Sequence, residues 1–251
     1  MLPFNSLKAI LFDLDGTLRH DRPNGFDTFV DYAEELGCVF TLAQLQHGER
    51  WVHSYWAASS DLDTDLREAG DQTPDFWLRY SQRLLRTLEA PGDLAALAVS
   101  INQIFDERYE PDVHVPDDAL PMLQKLRAAG YTLGLVSNRS RPLADVAAEL
   151  GLDGAFHFTL SAGQAQSWKP DPGIFLQAVA LAGCQPAEAV YVGDNLYADV
   201  EGSRGAGLHP VLLDPKGLFH NPGCPVIHTL GELEMALEQL GTKFFLRASV
   251  S

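Results

Sequence analysis

The sequence predicts an α/β protein: a doubly wound parallel sheet, interrupted directly after its first strand by an inserted α-helical cap domain. Three observations carry this. A short apolar run, Ala9-Ile10-Leu11-Phe12, stops at Asp13-Leu14-Asp15-Gly16, which marks a buried strand too short for a helix. Residues 25–110 then show only helical spacing. After Pro116, helix and strand alternate to the end, the rhythm of parallel strands joined by crossover helices.

Within the insert, Phe26, Phe29, Val30, Ala33 and Leu36 recur at helical spacing and stop at Gly37. Thr41 can cap a second helix through Trp51 and Trp56. Pro74 suits the first turn of a third, with Phe76, Trp77, Tyr80, Leu84 and Leu88, and Asp93 can cap a fourth reaching about Tyr109. The acid-rich stretch 61–71 reads as a solvated loop. In the alternating part, helices are expected over 119–129, 142–150, 172–182, after Asn195 and over 232–240. Strands are expected over 131–136, 156–160, 189–192, 210–213 and 226–227. The expected domains are a core of 1–18 with 115–251 and a cap of 19–114, with 242–251 as a tail.

The formal net charge is 18 − 34 = −16. Such an excess repels nucleic acid and anionic membranes, and would repel a phosphorylated substrate too unless a local positive pocket draws it in. Cys38, Cys184 and Cys224 are far apart and odd in number, so they read as small buried hydrophobes and not as a disulfide or zinc framework. The first residues lack a basic region followed by an apolar stretch, and no run is long and apolar enough to span a membrane. A cytoplasmic protein is expected.

Ligands of doubly wound sheets bind beyond the carboxyl ends of the strands. Here those ends read Asp13-Leu14-Asp15-Gly16-Thr17, Ser137-Asn138-Arg139, Ser167-Trp168-Lys169-Pro170 after a longer loop, and Gly193-Asp194-Asn195 with Asp199 beyond. Asp13, Asp15 and Asp194 together would need a neutralising cation, and hard oxygen donors favour magnesium over zinc. Either Asp13 or Asp15 could be a nucleophile while the other handles a proton. Thr17 and Ser137 offer hydroxyls to an anion's oxygens, and Lys169 offers a point charge.

Taken in order, these residues resemble the haloacid dehalogenase-like hydrolase superfamily, in its helical-cap phosphatase branch with a Rossmann-like core. The resemblance rests on Asp13-Leu14-Asp15-Gly16-Thr17-Leu18, on Ser137-Asn138, on Lys169-Pro170-Asp171-Pro172-Gly173-Ile174-Phe175, and on Gly193-Asp194-Asn195 with Asp199. It implies Asp13 as a nucleophile forming an aspartyl-phosphate and Asp15 as the acid and then the base. It implies Mg2+ held by the Asp13 carboxylate, the Asp15 backbone carbonyl and the Asp194 carboxylate, with Asp199 supporting the metal's water shell or Lys169. Thr17, Ser137, the Asn138 backbone and Lys169 would hold the phosphoryl oxygens. Asp15 speaks against dehalogenation, because haloacid dehalogenases lack that second aspartate.

The expected function is therefore magnesium-dependent hydrolysis of a small phosphorylated metabolite. The alternatives are a phosphomutase or phosphonate hydrolase of the same superfamily, or a catalytically silent binding module on the same fold. One departure from the family pattern stands just before the cap, where many relatives carry an acid and this chain has His20. Specificity should lie in the cap, with Arg50, Trp51, His53, Tyr55, Trp56, Trp77 and Arg79 as candidates, Arg50 and Trp56 foremost. Arg139 beside Ser137-Asn138 is another. The cap aromatics, at helical spacing, also suit a packed interior.

Overall fold

The computed structural model describes residues 7–57 and 59–248, so the reading of the N-terminal stretch falls largely on residues 1–6, outside the described ones. In chain order the elements begin with strands β1 (Ala9–Phe12) and β2 (His20–Arg22). Helices α1 (Gly25–Glu35), α2 (Leu42–Trp56), α3 (Ser60–Ala69), α4 (Pro74–Thr87) and α5 (Leu94–Arg108) follow, then β3 (Asp112–His114). The remainder alternates: α6 (Ala119–Ala128), β4 (Thr132–Ser137), α7 (Ala144–Glu149), β5 (Phe158–Ser161), α8 (Ala162–Ala165), α9 (Pro172–Ala182) and β6 (Ala189–Gly193). A π-helical turn, Leu196–Glu201, runs into α10 (Gly202–Gly205), followed by β7 (His209–Leu213), β8 (Val226–Ile227) and α11 (Leu233–Ala248).

The chain divides into two compact units, one running to His20 and resuming at Val115, the other spanning Asp21–His114. The first holds a six-stranded sheet in the order β5-β4-β1-β6-β7-β8, with every pairing parallel. Both faces are covered, which is why its strands read as continuous apolar runs. Alternate side chains go to opposite faces. Ile10, Phe12, Leu133, Leu135, Val190 and Val192 join α6 and α11 residues such as Leu123, Leu126, Leu233 and Leu237. Leu11, Val136 and Tyr191 join Ile174, Phe175, Ala178 and Val179 of α9.

The second unit is helical, with β2 and β3 paired as a small sheet where the chain enters and leaves it. Its own core gathers Phe29, Ala33, Leu84, Leu85, Leu88, Ala98 and Ile101. Sequence-level caps recur in it. Thr41 Oγ1 accepts from Gln44 N at 3.3 Å in a reciprocal box, and Asp93 Oδ1 accepts from Ala95 N and Ala96 N at 2.9 and 3.2 Å.

Three expectations are corrected. Most of the acid-rich stretch 61–71 is helix α3, so this unit has five helices among the described residues where the spacing predicts four. Ser59 Oγ accepts from Leu62 N at 3.1 Å, and Asp61 and Asp63 lie in the first turn, where the helix dipole favours acids. The helix expected over 232–240 continues to Ala248, so the described part of the 242–251 segment is helical and not a separate tail. Cys38 and Cys184 are buried free thiols, but Cys224 is only half-buried.

Candidate active site

Parallel register brings the strand ends to one edge. Phe12 at the end of β1 pairs with Leu135 of β4 on one side and Val192 of β6 on the other. Asp13, Ser137 and Asp194 therefore leave the sheet on the same side, and the Asp13 N–H makes one more ladder bond to Val192 O at 2.9 Å.

Lys169 sits at the centre of the charged group. Its ammonium is buried, donating to Asp13 Oδ1 at 2.5 Å and to Asp199 Oδ1 at 2.7 Å, with the Tyr191 ring centroid 5.5 Å away. The Thr17 hydroxyl is fully buried and lies 3.5 Å from Asp13 Oδ2 and 3.3 Å from Asp194 Oδ1. The π turn delivers Asp199, whose Oδ2 accepts from Asn195 N at 3.0 Å. Such turns recur at functional sites because they re-aim a side chain within a helix. Two glycines make room: a Cβ on Gly16, at φ +88°, would overlap the Asp194 carboxylate, and one on Gly193 would overlap Asp199.

Asp13, Asp194 and Asp199 form a group of carboxylates with one oxygen of each within 4.8 Å of the others. Burial pushes the Asp13 carboxyl up to about 7, against the pull of Lys169. Burial and the charges of Asp13 and Asp199 likewise push half-buried Asp194 well above the usual carboxylate range. Burial opposes the Lys169 charge too, but Asp13 and Asp199 outweigh it and hold the ammonium above its ordinary value. One lysine is thus too little cation for this group. An all-oxygen donor set that strains against its own charge suits a hard divalent ion such as Mg2+. Asp199 accepts from both Lys169 and Asn195, and Asp13 from Lys169 and Thr17.

The other sequence candidates are placed as follows. Asn138 spends its side chain on the backbone of Lys169, donating to Lys169 O at 3.0 Å and accepting from Lys169 N at 2.7 Å. Ser137 is buried at the end of β4, its Oγ accepting from Arg139 N at 3.3 Å. The Asp15 side chain is outside the carboxylate group and pairs with Arg139 at 2.7 and 2.8 Å and with Arg19 at 3.3 Å. The sequence offers Arg139 as a candidate but carries no signal for this pair, nor for Tyr191, whose place on an apolar strand disguises it as core alone. Arg50 and Trp56 belong to the helical unit, where Trp56 packs on Phe76, Trp77 and Tyr80 with centroids 6.0, 6.1 and 5.6 Å apart. Tyr55 is corrected as a specificity candidate: it is buried, and its hydroxyl donates to Asp65 Oδ2 at 3.0 Å. Arg79 is engaged with Glu68 at 2.7 Å.

Comparison with known proteins agrees with this geometry. The sequence pattern of haloacid dehalogenase-like hydrolases matches residues 7–207, which takes in every residue of the carboxylate group and Lys169. The chain belongs to the haloacid dehalogenase-like hydrolase family. This hydrolase is 30% identical to the human haloacid dehalogenase-like hydrolase domain-containing protein 3, over 93% of its own length and 95% of the relative's. It is also 30% identical to the glyceraldehyde 3-phosphate phosphatase of Methanopyrus kandleri, over 80% and 82% of the two chains. Its fold matches the crystal structure of a phosphatase of the same family from Thermococcus onnurineus, with a TM-score of 0.53 at 23% identity, over 92% and 98% of the chains. Among the described residues, no helix is long and apolar enough to cross a membrane.

Proposed function

We propose that this hydrolase is a magnesium-dependent phosphatase acting on a small phosphorylated metabolite through an aspartyl-phosphate intermediate. The observation that carries the reading is the Asp13–Lys169–Asp199 chain at 2.5 and 2.7 Å beside Asp194 and Thr17. It gathers carboxylates, a buried cation and a hydroxyl at the sheet edge. The phosphatase named among its relatives supports the same class of substrate.

In this reading an Asp13 carboxylate oxygen attacks phosphorus as the ester P–O bond breaks. Asp15 gives its proton to the leaving oxygen. Water then attacks the phosphorus of the acyl phosphate and yields its proton to Asp15, which restores the Asp13 carboxylate and releases phosphate. Lys169 and the Thr17 and Ser137 hydroxyls hold the phosphoryl oxygens, with the backbone at Asn138, while Asp199 and Asn138 keep Lys169 in place. The Asp13 and Asp194 carboxylates and the Asp15 carbonyl would hold Mg2+, which would supply charge neutralisation for the phosphoryl group. The helical unit, from 19 to 114, serves as the cap that selects the leaving group, with Arg50 and Trp56 as its contacts. The free cysteines fit a cytoplasmic setting, and the net charge of −16 fits a small substrate better than a nucleic acid.

The test is magnesium-dependent phosphate release from an aryl phosphate and from a panel of phosphorylated metabolites. Asp13→Asn should lose at least about a thousandfold in kcat, as expected when a nucleophile is removed. Full turnover by that variant would sink the nucleophile assignment, and an inactive wild type across the panel would sink the phosphatase reading.

A further inference from the structure

Asp15 is held by a fork. Arg139 Nε donates to Oδ2 at 2.8 Å and Nη2 to Oδ1 at 2.7 Å, and Arg19 Nη1 donates to Oδ1 at the longer distance of 3.3 Å. Edge-on pairing of guanidinium and carboxylate is strong and directional, and Lys cannot reproduce it. Both Asp15 oxygens are thus committed to cations, and its carboxylate lies outside the Asp13, Asp194 and Asp199 group. An acid that must reach an ester oxygen on Asp13's phosphoryl group is parked in this arrangement.

The arginine end of the fork is anchored by its backbone. Arg139 N donates to Ser137 Oγ at 3.3 Å, and its carbonyl accepts from Gly163 N at 3.3 Å. A Cβ on Gly163 would overlap the Ser140 carbonyl, so α8 sits tightly against this loop. The ion pair itself is open, with 37% of the Arg139 side chain and 41% of the Asp15 side chain exposed. One carboxylate can therefore replace another on Arg139 without the desolvation cost of a buried exchange.

We infer that Arg139 is a specificity-determining residue that exchanges Asp15 for an anionic group on the substrate's leaving portion. The inference rests on the phosphatase reading above. When a second carboxylate or phosphate of the ester takes the Arg139 N–H donors, Arg19 still holds Oδ1 of Asp15 and Oδ2 is released. Released from the fork, the Asp15 carboxyl is able to turn toward the leaving oxygen, where the phosphatase reading places it. The favoured substrate class is a phosphate ester bearing a second anion close to the phosphoryl group.

The test compares phosphoglycolate with ethyl phosphate, esters of similar size that differ by one carboxylate, on the full chain with magnesium. Calorimetry on the Asp13→Asn protein reads binding, and phosphate release by the otherwise unaltered protein reads turnover. Phosphoglycolate should bind at least tenfold more tightly than ethyl phosphate and turn over with the higher kcat. Arg139→Gln, added to each background, should shrink both preferences to within threefold, and Arg139→Lys should fall between. General damage to the fold would lower both substrates alike and leave the ratios intact, which overturns the inference, as does a wild-type protein without preference. Absence of phosphate release from these esters and from the whole metabolite panel in the unaltered protein would defeat the phosphatase reading instead, and the binding ratio would still decide the role of Arg139.

Discussion

The side chain of Asn138 brackets the backbone of Lys169. Its NH2 group donates to the Lys169 carbonyl at 3.0 Å, and its own carbonyl accepts from the Lys169 N–H at 2.7 Å, joining the end of β4 to the loop before α9. Asn138→Ala leaves both backbone groups without that partner, at about 1–3 kcal/mol for a buried group left unsatisfied. The urea midpoint in the presence of magnesium should fall accordingly. kcat should drop more than tenfold, because the lysine loses its alignment on Asp13. Unchanged stability and turnover would make the bracket incidental.

Lys169 separates two carboxylates that lie deep in the protein. Lys169→Met keeps the aliphatic stem and removes the charge, which leaves Asp13 and Asp199 facing each other without it. Removing one partner of a buried ionic network costs about 3–5 kcal/mol. Denaturant unfolding of the chelator-treated protein should show that loss, and saturating magnesium should recover part of it. A variant as stable as wild type without metal would contradict the charge balance inferred for the group.

The raised carboxyl of Asp13 gives metal binding a pH dependence of definite sign. Its pKa moves from 3.8 to about 7 on folding, so the metal-free folded protein holds a proton that the unfolded chain releases. That contribution to stability is full below the unfolded value and is lost as pH rises through about 7. Magnesium competes with the proton, so it should raise Tm more at pH 8 than at pH 5.5. Asp194→Asn should abolish most of the magnesium response. Its metal-free form should be no less stable than metal-free wild type, since one strained carboxyl is gone. A magnesium response of equal size at both pH values would refute the linkage.

Much of this molecule was legible because its chemistry coincides with its topology. Strands buried on both faces, such as β1 and β6, are continuous apolar runs, and the polar residues where they stop must lie along one edge. Asp13, Thr17, Lys169, Asp194 and Asp199 come together for that reason. Pairings between distant segments were not legible. Arg139 and Asp15 are 124 residues apart in sequence, and neither strand pattern nor helix phase links them. Asn138 was read for its backbone, but its side chain does the local work, since an amide beside a strand end looks like any turn former. Asp65 sits among acids of identical composition. Helix phase separates it from Asp63 but puts it on one face with Asp61, and only the fold supplies Arg83, which meets both, and buries Asp65 alone of the two.

That last residue supports a test confined to the helical unit. Asp65 is fully buried, accepts the Tyr55 hydroxyl at 3.0 Å and meets Arg83 Nε at 2.8 Å. Tyr55 is itself enclosed by the rings of Trp51, Trp56 and Tyr80, with centroids 4.9, 5.2 and 5.2 Å away. Burial and the Asp65 charge push the Tyr55 hydroxyl above its ordinary value, so it stays a donor. Asp65→Ala removes the acceptor and leaves Arg83 with Asp61 alone, at 2.6 Å, and should cost about 1–3 kcal/mol. Asp65→Asn keeps an acceptor for Tyr55 and should cost less than Asp65→Ala. In a double-mutant cycle, Tyr55→Phe should make the Asp65→Ala change cheaper by about 0.5–3 kcal/mol, the coupling expected of groups in one network. Thermal and urea unfolding measure the three single variants and the double variant. Strictly additive costs would show that the hydroxyl and the carboxylate do not support each other, and that the aromatic packing alone holds Tyr55 in place.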